Sequence, residues 1–229
     1  MRSAAAVVAN SAATARRLVE HYGNTRMLEI IPNGVARPDV LPDKDWTHPG
    51  KTIVYAGSLF PWKGAADLVA AASSLPGCDI EIIGGEPSRV QELQALAPGN
   101  GAELRFSGHL PHAQAMQRIL GACIAVLPNR PDADSAFTSP IKLFEYMAAG
   151  CAIVVADLPP MREILDEQDA MWFTPGDPQS LAAAIAALVK DPDHARRLGE
   201  RVRMKSERFT WQARAARLHA VLASMGKQK

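Results

Sequence analysis

With 229 residues, the chain is long enough to bury a substantial core, either as one large domain or as one domain plus a fragment. Hydrophobic residues make up 48% and charged residues 21%, and no apolar run approaches the roughly 18 residues of a membrane span. The net charge of +1 excludes a bulk field that attracts nucleic acid or an anionic membrane, so any anion site must be local.

The three cysteines, Cys78, Cys123 and Cys151, are far apart and lie in apolar contexts. This pattern argues against disulfides and a zinc site, and it favours buried thiols in a reducing, cytoplasmic setting. No signal peptide is evident in the first residues.

Short apolar runs alternate with stretches of helical period along the chain. The predicted strands are Ala6 to Val8, Leu28 to Ile31, Ile53 to Tyr55, Ile80 to Ile83, Leu104 to Phe106, Ile124 to Leu127, Ala152 to Val155 and Met171 to Phe173. Between the first two, Ala12 to Tyr22 is predicted to be a helix that stops at Gly23. This alternation predicts an α/β fold with a parallel sheet covered by helices on both faces.

Two further segments organise the chain. Asp39 to Gly50 is predicted to be a linker, because prolines lie among charged residues with no usable period. The last predicted helix, Thr210 to Met225, has one apolar face made of Trp211, Ala215, Leu218, Leu222 and Met225.

Glycines follow two of the predicted strands. The loop from Gly57 to Gly64 brings a flexible approach and the cation of Lys63 to a helix start. On spacing alone, Lys63 is better explained as a solvated surface lysine. Gly84 and Gly85 are explained either as a tight turn or as a place where a ligand approaches the backbone.

The segment after the sixth predicted strand outlines a phosphate-and-ribose site. Ser139 suits a helix N-cap and Pro140 the first helical position, so the backbone N–H groups around Ile141 and Lys142 would face a bound anion. Glu145 lies one turn further on, where it could bind the hydroxyls of a sugar whose phosphates lie at the helix start.

This block resembles the donor-binding signature of the retaining glycosyltransferases of family four, which have two Rossmann-like domains facing across a cleft, the GT-B fold. Other pieces of the signature follow in order: Ile31 to Val35, Tyr55 to Leu59 with Trp62 to Gly64, Ile83 to Glu86, Phe106 to Gly108, and Arg162 to Leu165. The resemblance covers nearly the whole chain but only the second half of the family's usual length.

The resemblance implies a division of the chain. Residues 1–38 would be a remnant of the acceptor domain and its crossover, and 39–50 the linker. Residues 51–209 would form the Rossmann-like nucleotide-sugar-binding domain, and residues 210–229 a helix that crosses back. The full-length enzyme would be cytoplasmic or peripheral at the inner membrane.

The resemblance also implies a function: binding a UDP- or GDP-linked sugar for retaining transfer to an unknown acceptor, with no metal or other cofactor. Lys63 and Lys142 would neutralise the diphosphate, the Thr138 to Ile141 backbone would hold it, and Glu145 would bind the ribose. The substrate-binding residues implied are Gly57, Ser58, Lys63, Gly84, Gly85, Arg105, Phe106, Thr138, Ser139, Pro140, Ile141, Lys142 and Glu145, with Lys63 and Glu145 as the catalytic pair. Phe106 is better explained as a core residue than as a stacking platform for the base. Glu163 is equally well explained as a residue that caps or orients the site and as an exposed helix glutamate.

Two departures from the family pattern bear on the chemistry. Ser58 stands where the family commonly has arginine, so we expect Lys142 to replace that cation. Phe137 stands where the first of two glutamates, eight residues apart, usually lies, and neither Asp132 nor Asp134 is in register to replace it. The donor sugar and independent catalysis are therefore left open.

Two other functions stay open from the sequence. The chain could be a non-catalytic nucleotide-binding half-protein that acts with a separate acceptor-domain chain or as a homo-oligomer, since a complete cleft needs both domains to exclude water. A sugar-nucleotide epimerase on the same fold matches the signature less well. No nucleic-acid partner is expected.

Overall fold

The eight predicted strands are all present in the structure, a computed structural model that describes Ala4 and residues 6–23, 27–131 and 140–226. They are β1 Val7–Ala9, β2 Leu28–Ile30, β3 Ile53–Ala56, β4 Asp79–Ile83, β5 Glu103–Gly108, β6 Ile124–Leu127, β7 Ala152–Ala156 and β8 Met171–Phe173. The α-helices are α1 Ala12–Tyr22, α2 Ala65–Ala71, α3 Pro87–Ala95, α4 His112–Gly121, α5 Ile141–Ala148, α6 Pro159–Arg162, α7 Pro178–Lys190, α8 Pro192–Lys205 and α9 Trp211–Gly226. The predicted strand ends are correct to within two residues.

The main sheet has six parallel strands in the order β5-β4-β3-β6-β7-β8. Every residue of β3, β6 and β7 is buried, which confirms the expectation of strands covered on both faces. The strand order runs outward in both directions from the β3–β6 pair, so this pair is the point where the winding reverses. Ligands of such sheets bind beyond the carboxyl ends of the strands at this point.

The N-terminal residues form a small separate unit. Strands β1 and β2 pair in parallel, with α1 between them in the chain. The Oγ of Ser11 accepts a hydrogen bond from the backbone N–H of Thr14 (3.1 Å), and the N–H of Gly23 closes the last turn on Val19. The predicted helix and its stop at Gly23 are thus confirmed, with Ser11 as its N-cap.

Glu163 connects this unit to the main sheet domain. Its carboxylate accepts hydrogen bonds from the backbone N–H groups of Ala12 (2.8 Å) and Ala13 (3.2 Å) at the start of α1. A carboxylate is favourable there, because the first N–H groups of a helix have no intrahelical partner and carry partial positive charge. Glu163 therefore caps α1, 151 residues away in the chain, a role that the sequence did not predict for it.

The predicted linker is held against the sheet domain. The ammonium of Lys44 donates to the backbone carbonyls of Ala122 (2.6 Å), Ala149 (2.8 Å) and Gly150 (3.2 Å), which follow the ends of α4 and α5. Trp46 packs against the core cluster. A cation at helix C-termini offsets their partial negative charge, so this segment is a fixed connection.

Cys78, Cys123 and Cys151 are buried free thiols, as expected. Burial raises the pKa of each thiol, which keeps all three protonated near neutral pH. Within the described ranges, none of the helices has the length and apolar character needed to cross a membrane.

Candidate functional site

A cavity of about 900 Å³ lies beyond the carboxyl ends of β3, β4 and β5. Its wall is made by the loops that follow these three strands, by residues of α3 and α4, and by one residue from the first turn of α5. The described lining residues include Gly57, Ser58, Gly84, Gly85, Arg89, His109, His112 and Lys142. Five residues predicted from separate parts of the sequence, the four glycine-loop positions and Lys142, are therefore brought to one cavity.

The Gly84–Gly85 turn allows two of these loops to pack closely. Gly84 has a φ of 116°, and a Cβ atom there would lie 2.1 Å from the carbonyl oxygen of Gly57. A Cβ atom on Gly85 would lie 2.3 Å from the Cδ1 of Leu59. The tight turn is confirmed, and it is part of the cavity wall; the approach of a ligand to its backbone stays a prediction.

Two buried tyrosines fix the base of the Gly57 loop. The hydroxyl of Tyr55 donates to the carbonyl oxygen of Ser58 (2.7 Å), and the N–H of Ala56 donates to the hydroxyl of Tyr146 (2.7 Å). Burial raises the pKa of both hydroxyls, so they stay neutral and keep these bonds at any physiological pH.

Glu145 is buried, with 8% of its side chain exposed, and it contacts the cavity wall through two lining residues without being one itself. One carboxylate oxygen lies 2.5 Å from the ammonium of Lys142, and the other lies 3.2 Å from the Nε2 of His112. The residues predicted to bind diphosphate and ribose are therefore paired with each other. Their spacing of three positions on one helix predicts such contact, whereas His112, on another element, was missed.

Lys63 is not part of the described cavity wall. It lies in the short 3-10 turn Pro61–Lys63, and its ammonium stacks 4.0 Å from the centre of the Trp62 ring. Burial lowers the pKa of this lysine, which means that the surroundings disfavour its charge in the absence of a bound anion. Its diphosphate contact stays a prediction.

The start of α5 differs from the prediction by one position. The helix begins at Ile141, and Pro140 is the N-cap, with a ψ of 97° that is extended and not helical. The N–H of Leu143 bonds to the carbonyl of Pro140 (3.0 Å), so the N–H groups of Ile141 and Lys142 precede the first bonded turn. Thr138, Ser139, Phe137, Asp132 and Asp134 lie outside the described residues.

The side chain of Arg105 is not part of the described wall of the large cavity. Strand β5 continues to Gly108, so Arg105 lies in its middle and not at its carboxyl end. The arginine lines a second cavity, of about 290 Å³, at the amino-terminal half of the sheet with Lys51, Glu81 and Arg118. Phe106 packs against the core cluster, which supports its interpretation as a core residue. A main-chain contact from this strand to a base stays a prediction.

The cavity wall also contains charged residues that the sequence analysis did not single out. Arg89 donates from its Nε to the carbonyl of Leu59 (3.0 Å) and is paired with Glu92. Among the described lining residues, the side chains of the lysine and arginine type are those of Lys142 and Arg89. Each is already paired with a glutamate. An anion in the cavity must therefore share or displace these carboxylates. The described ranges contain no cluster of three or more His, Cys, Asp or Glu side chains suited to a metal ion.

A doubly wound parallel sheet with a large cavity beyond its switch point defines a Rossmann-like domain. Residues 38–205 match the family described as Glycosyl transferases group 1, and the chain belongs to this family. Its fold is that of the GT-B glycosyltransferases.

Three relatives illustrate the match. The chain is 30% identical over 207 residues to a phosphatidyl-myo-inositol mannosyltransferase of Mycolicibacterium smegmatis, covering 83% of this chain and 50% of that protein. It is 27% identical over 223 residues to a glycogen synthase of Mycobacterium tuberculosis, covering 93% and 52%. A solved structure of the Anabaena protein HepE in complex with UDP superposes with a TM-score of 0.74 at 19% identity, covering 96% of this chain and 64% of that one. The chain spans about half the length of the curated relatives it matches.

Proposed function

We propose that the chain is the donor domain of a glycosyltransferase that binds a UDP- or GDP-linked sugar and transfers the sugar with retention of configuration. The observation that carries this proposal is the cavity at the carboxyl ends of β3 to β5, where the glycine loops and Lys142 meet. Membership of a glycosyltransferase family and the UDP complex of a structural neighbour support it.

In this proposal, each predicted residue has a defined role. Lys142 and Lys63 stabilise the negative charge that develops on the leaving diphosphate, and the backbone at the start of α5, with Thr138 and Ser139, holds that group. Glu145 accepts hydrogen bonds from the ribose hydroxyls. The leaving phosphate itself takes the proton of the acceptor hydroxyl. The cations and the helix start then supply the positive charge, so we propose that no metal is needed.

Titration calorimetry tests the binding step. UDP, GDP and ADP, each alone and as its sugar conjugate, are titrated into the chain in the presence of a chelator, together with UMP and GMP as the matching monophosphates. We expect a uridine or guanosine diphosphate to bind at least tenfold more tightly than the matching monophosphate, because the diphosphate engages the cations and the helix start. Absence of binding by every nucleotide diphosphate would overturn the proposal.

Lys63→Ala is expected to weaken binding of the nucleotide diphosphate by about 1 to 3 kcal/mol, because a charge-assisted contact is lost. Lys51→Ala, an exposed lysine paired with Asp79 at the other end of the sheet, is the matched control and should leave affinity unchanged. Equal affinity of the Lys63 variant and the unaltered chain removes Lys63 from the site.

The lowered pKa of Lys63 adds a pH dependence. Since phosphate binding needs the ammonium form, affinity should fall as pH rises through the alkaline range, beginning below the ordinary lysine pKa of about 10.4. The arginine of a Lys63→Arg variant keeps its charge throughout this range. The difference between the pH profiles of the unaltered chain and this variant therefore separates titration of Lys63 from titration of the nucleotide base. Parallel pH profiles would contradict this role.

A half-protein that binds nucleotide but transfers poorly is the second candidate, and the surface of α9 favours it. Arg214 and Arg217 of this helix donate to the backbone carbonyls of Pro32 and Ile30, at the end of β2. Its predicted apolar face is only partly covered. Trp211 and Leu222 are 52% and 66% exposed, although Leu218 and Met225 are half-buried and the Trp211 ring lies against Gly34. Open apolar surface of this kind favours pairing with another chain.

We therefore expect the chain to self-associate or to bind an acceptor-domain chain, and to show little transfer alone. In light scattering, Leu222→Glu should lower the mean mass, whereas Ala220→Glu, on the opposite side of α9, should not. Robust sugar transfer by a strictly monomeric preparation would contradict this expectation.

A further inference from the structure

His112 holds the second oxygen of Glu145. It is the first residue of α4, after the loop that follows β5, whereas Glu145 and Lys142 are on α5. The His112 side chain is 75% exposed and lines the large cavity, yet its Nε2 lies 3.2 Å from the Oε1 of Glu145. The histidine therefore connects open cavity surface to a carboxylate that is almost completely buried.

The two partners of Glu145 constrain the carboxylate differently. Lys142 is on the same helix, three residues away, and bonds Oε2 through a long flexible side chain. If Lys142 were its single partner, the Glu145 carboxylate could rotate and the flexible lysine side chain would follow it. The bond from His112 comes from a separate element, so it fixes the plane of the carboxylate relative to the cavity. With the Nε2 atom carrying the proton, His112 donates and Glu145 accepts.

An ionised carboxylate has about four acceptor positions, and His112 and Lys142 use two of them. The Glu145 side chain is 8% exposed and is not itself among the described lining residues, so a ligand in the cavity first meets His112 and Lys142, which do line it. The direction in which Glu145 presents its free acceptor positions is therefore set by His112. A pair of adjacent hydroxyls is the ligand group that such an oriented carboxylate recognises.

We propose that His112 is a positioning residue, which orients Glu145 toward the ribose diol and thereby makes the site select ribonucleotides over deoxyribonucleotides. The proposal rests on the proposed function, because it takes a nucleotide diphosphate as the ligand of the cavity. His112 needs no contact with the nucleotide in this role. It acts through Glu145 and through the hydroxyls that Glu145 binds.

Calorimetry with sugar-modified nucleotides tests the role. The probes are UDP and GDP with their 2′-deoxy and 3′-deoxy counterparts, and the variants are His112→Leu, His112→Gln and His109→Leu. His109 lines the same cavity and is not a partner of Glu145 in the described structure, so it is the matched control for removing a cavity histidine. The glutamine amide can donate to the carboxylate as Nε2 does, so His112→Gln should restore the bond.

We expect His112→Leu to weaken the ribonucleotide about three- to tenfold, the range for losing a partly exposed hydrogen bond to a charged group. Binding of the deoxy analogues should weaken by less than about twofold. The ratio of ribonucleotide to deoxyribonucleotide affinity should therefore fall by most of the loss seen for the ribonucleotide. His112→Gln should restore most of the preference, and His109→Leu should leave it unchanged. Combined with Glu145→Gln, the His112→Leu change should have no further effect, because the group it orients is gone.

The outcomes separate the two proposals. If the unaltered chain binds no nucleotide diphosphate, the proposed function is wrong and this role falls with it. If the unaltered chain binds but does not prefer ribose, or if His112→Leu weakens ribose and deoxyribose nucleotides equally, the proposed function stands and the positioning role is wrong. An equal loss of the preference for ribose in His112→Gln and His112→Leu would also overturn the positioning role, because restoring the hydrogen-bond donor would then not restore the preference.

Discussion

Glu145→Gln is expected to weaken binding of the nucleotide diphosphate by about 1.5 to 3 kcal/mol, roughly 10- to 150-fold, while inorganic diphosphate binds at least as well as before. The amide keeps the shape of the side chain but loses the charge that makes its hydrogen bonds to ribose strong. The same change releases Lys142 from its ion pair, so the cation becomes more available to phosphate. Calorimetric titration with the two ligands measures both effects in one protein.

Glu86→Gln is the matched control for this experiment. Glu86 lines the same cavity at the start of α3, but it makes no capping bond there and belongs to another loop. The control should change affinity for both ligands only slightly. A loss of similar size for nucleotide and inorganic diphosphate in Glu145→Gln would mean that Glu145 supports the fold and not the ribose.

Gly64→Ala is expected to destabilise the domain by about 3 to 5 kcal/mol, among the largest effects for a single methyl group. Gly64 has a φ of 72°, and a Cβ atom there would lie 1.7 Å from the carbonyl oxygen of Pro128. Relief of this clash requires the backbone to move at a junction that is already fixed, since Arg130 bonds the carbonyl of Trp62 and its guanidinium is paired with the buried Asp67. Because the loop that carries Lys63 ends at Gly64, its approach to the site changes as well.

Gly77→Ala separates the clash from the backbone conformation. Gly77 has a φ of 79°, close to that of Gly64, but no atom lies within 4 Å of a Cβ placed there. This control should lose about 1 kcal/mol, the usual penalty for alanine in the left-handed region. Equal losses in denaturant unfolding of the two variants would show that the contact with Pro128 has no energetic weight.

The sheet was predictable from the sequence because its signal is local. The central strands Ile124–Leu127 and Ala152–Ala156 are continuous apolar runs bounded by turn residues, and burial on both faces requires that composition. Gly23 was likewise predictable as a helix stop, since its function depends only on its own backbone.

The site was less predictable because its contacts join distant parts of the chain. Neither the bond from His112 to Glu145 nor the cap that Glu163 places on α1 has a local pattern, since the partners are 33 and 151 residues apart. The position of the Arg105 side chain was unpredictable for another reason. Its strand was predicted to end at Phe106 but continues to Gly108, with a register shift against β4 after Ile82, and the side chain lines the second cavity.

A crystal structure of this chain grown with UDP or GDP tests the central claim most directly. The account predicts a nucleotide in the large cavity beyond β3, β4 and β5, with its diphosphate near Lys142 and the start of α5 and its ribose hydroxyls on Glu145. A nucleotide in the second cavity beside Arg105 and Arg118, or a ribose bound away from Glu145, would contradict it.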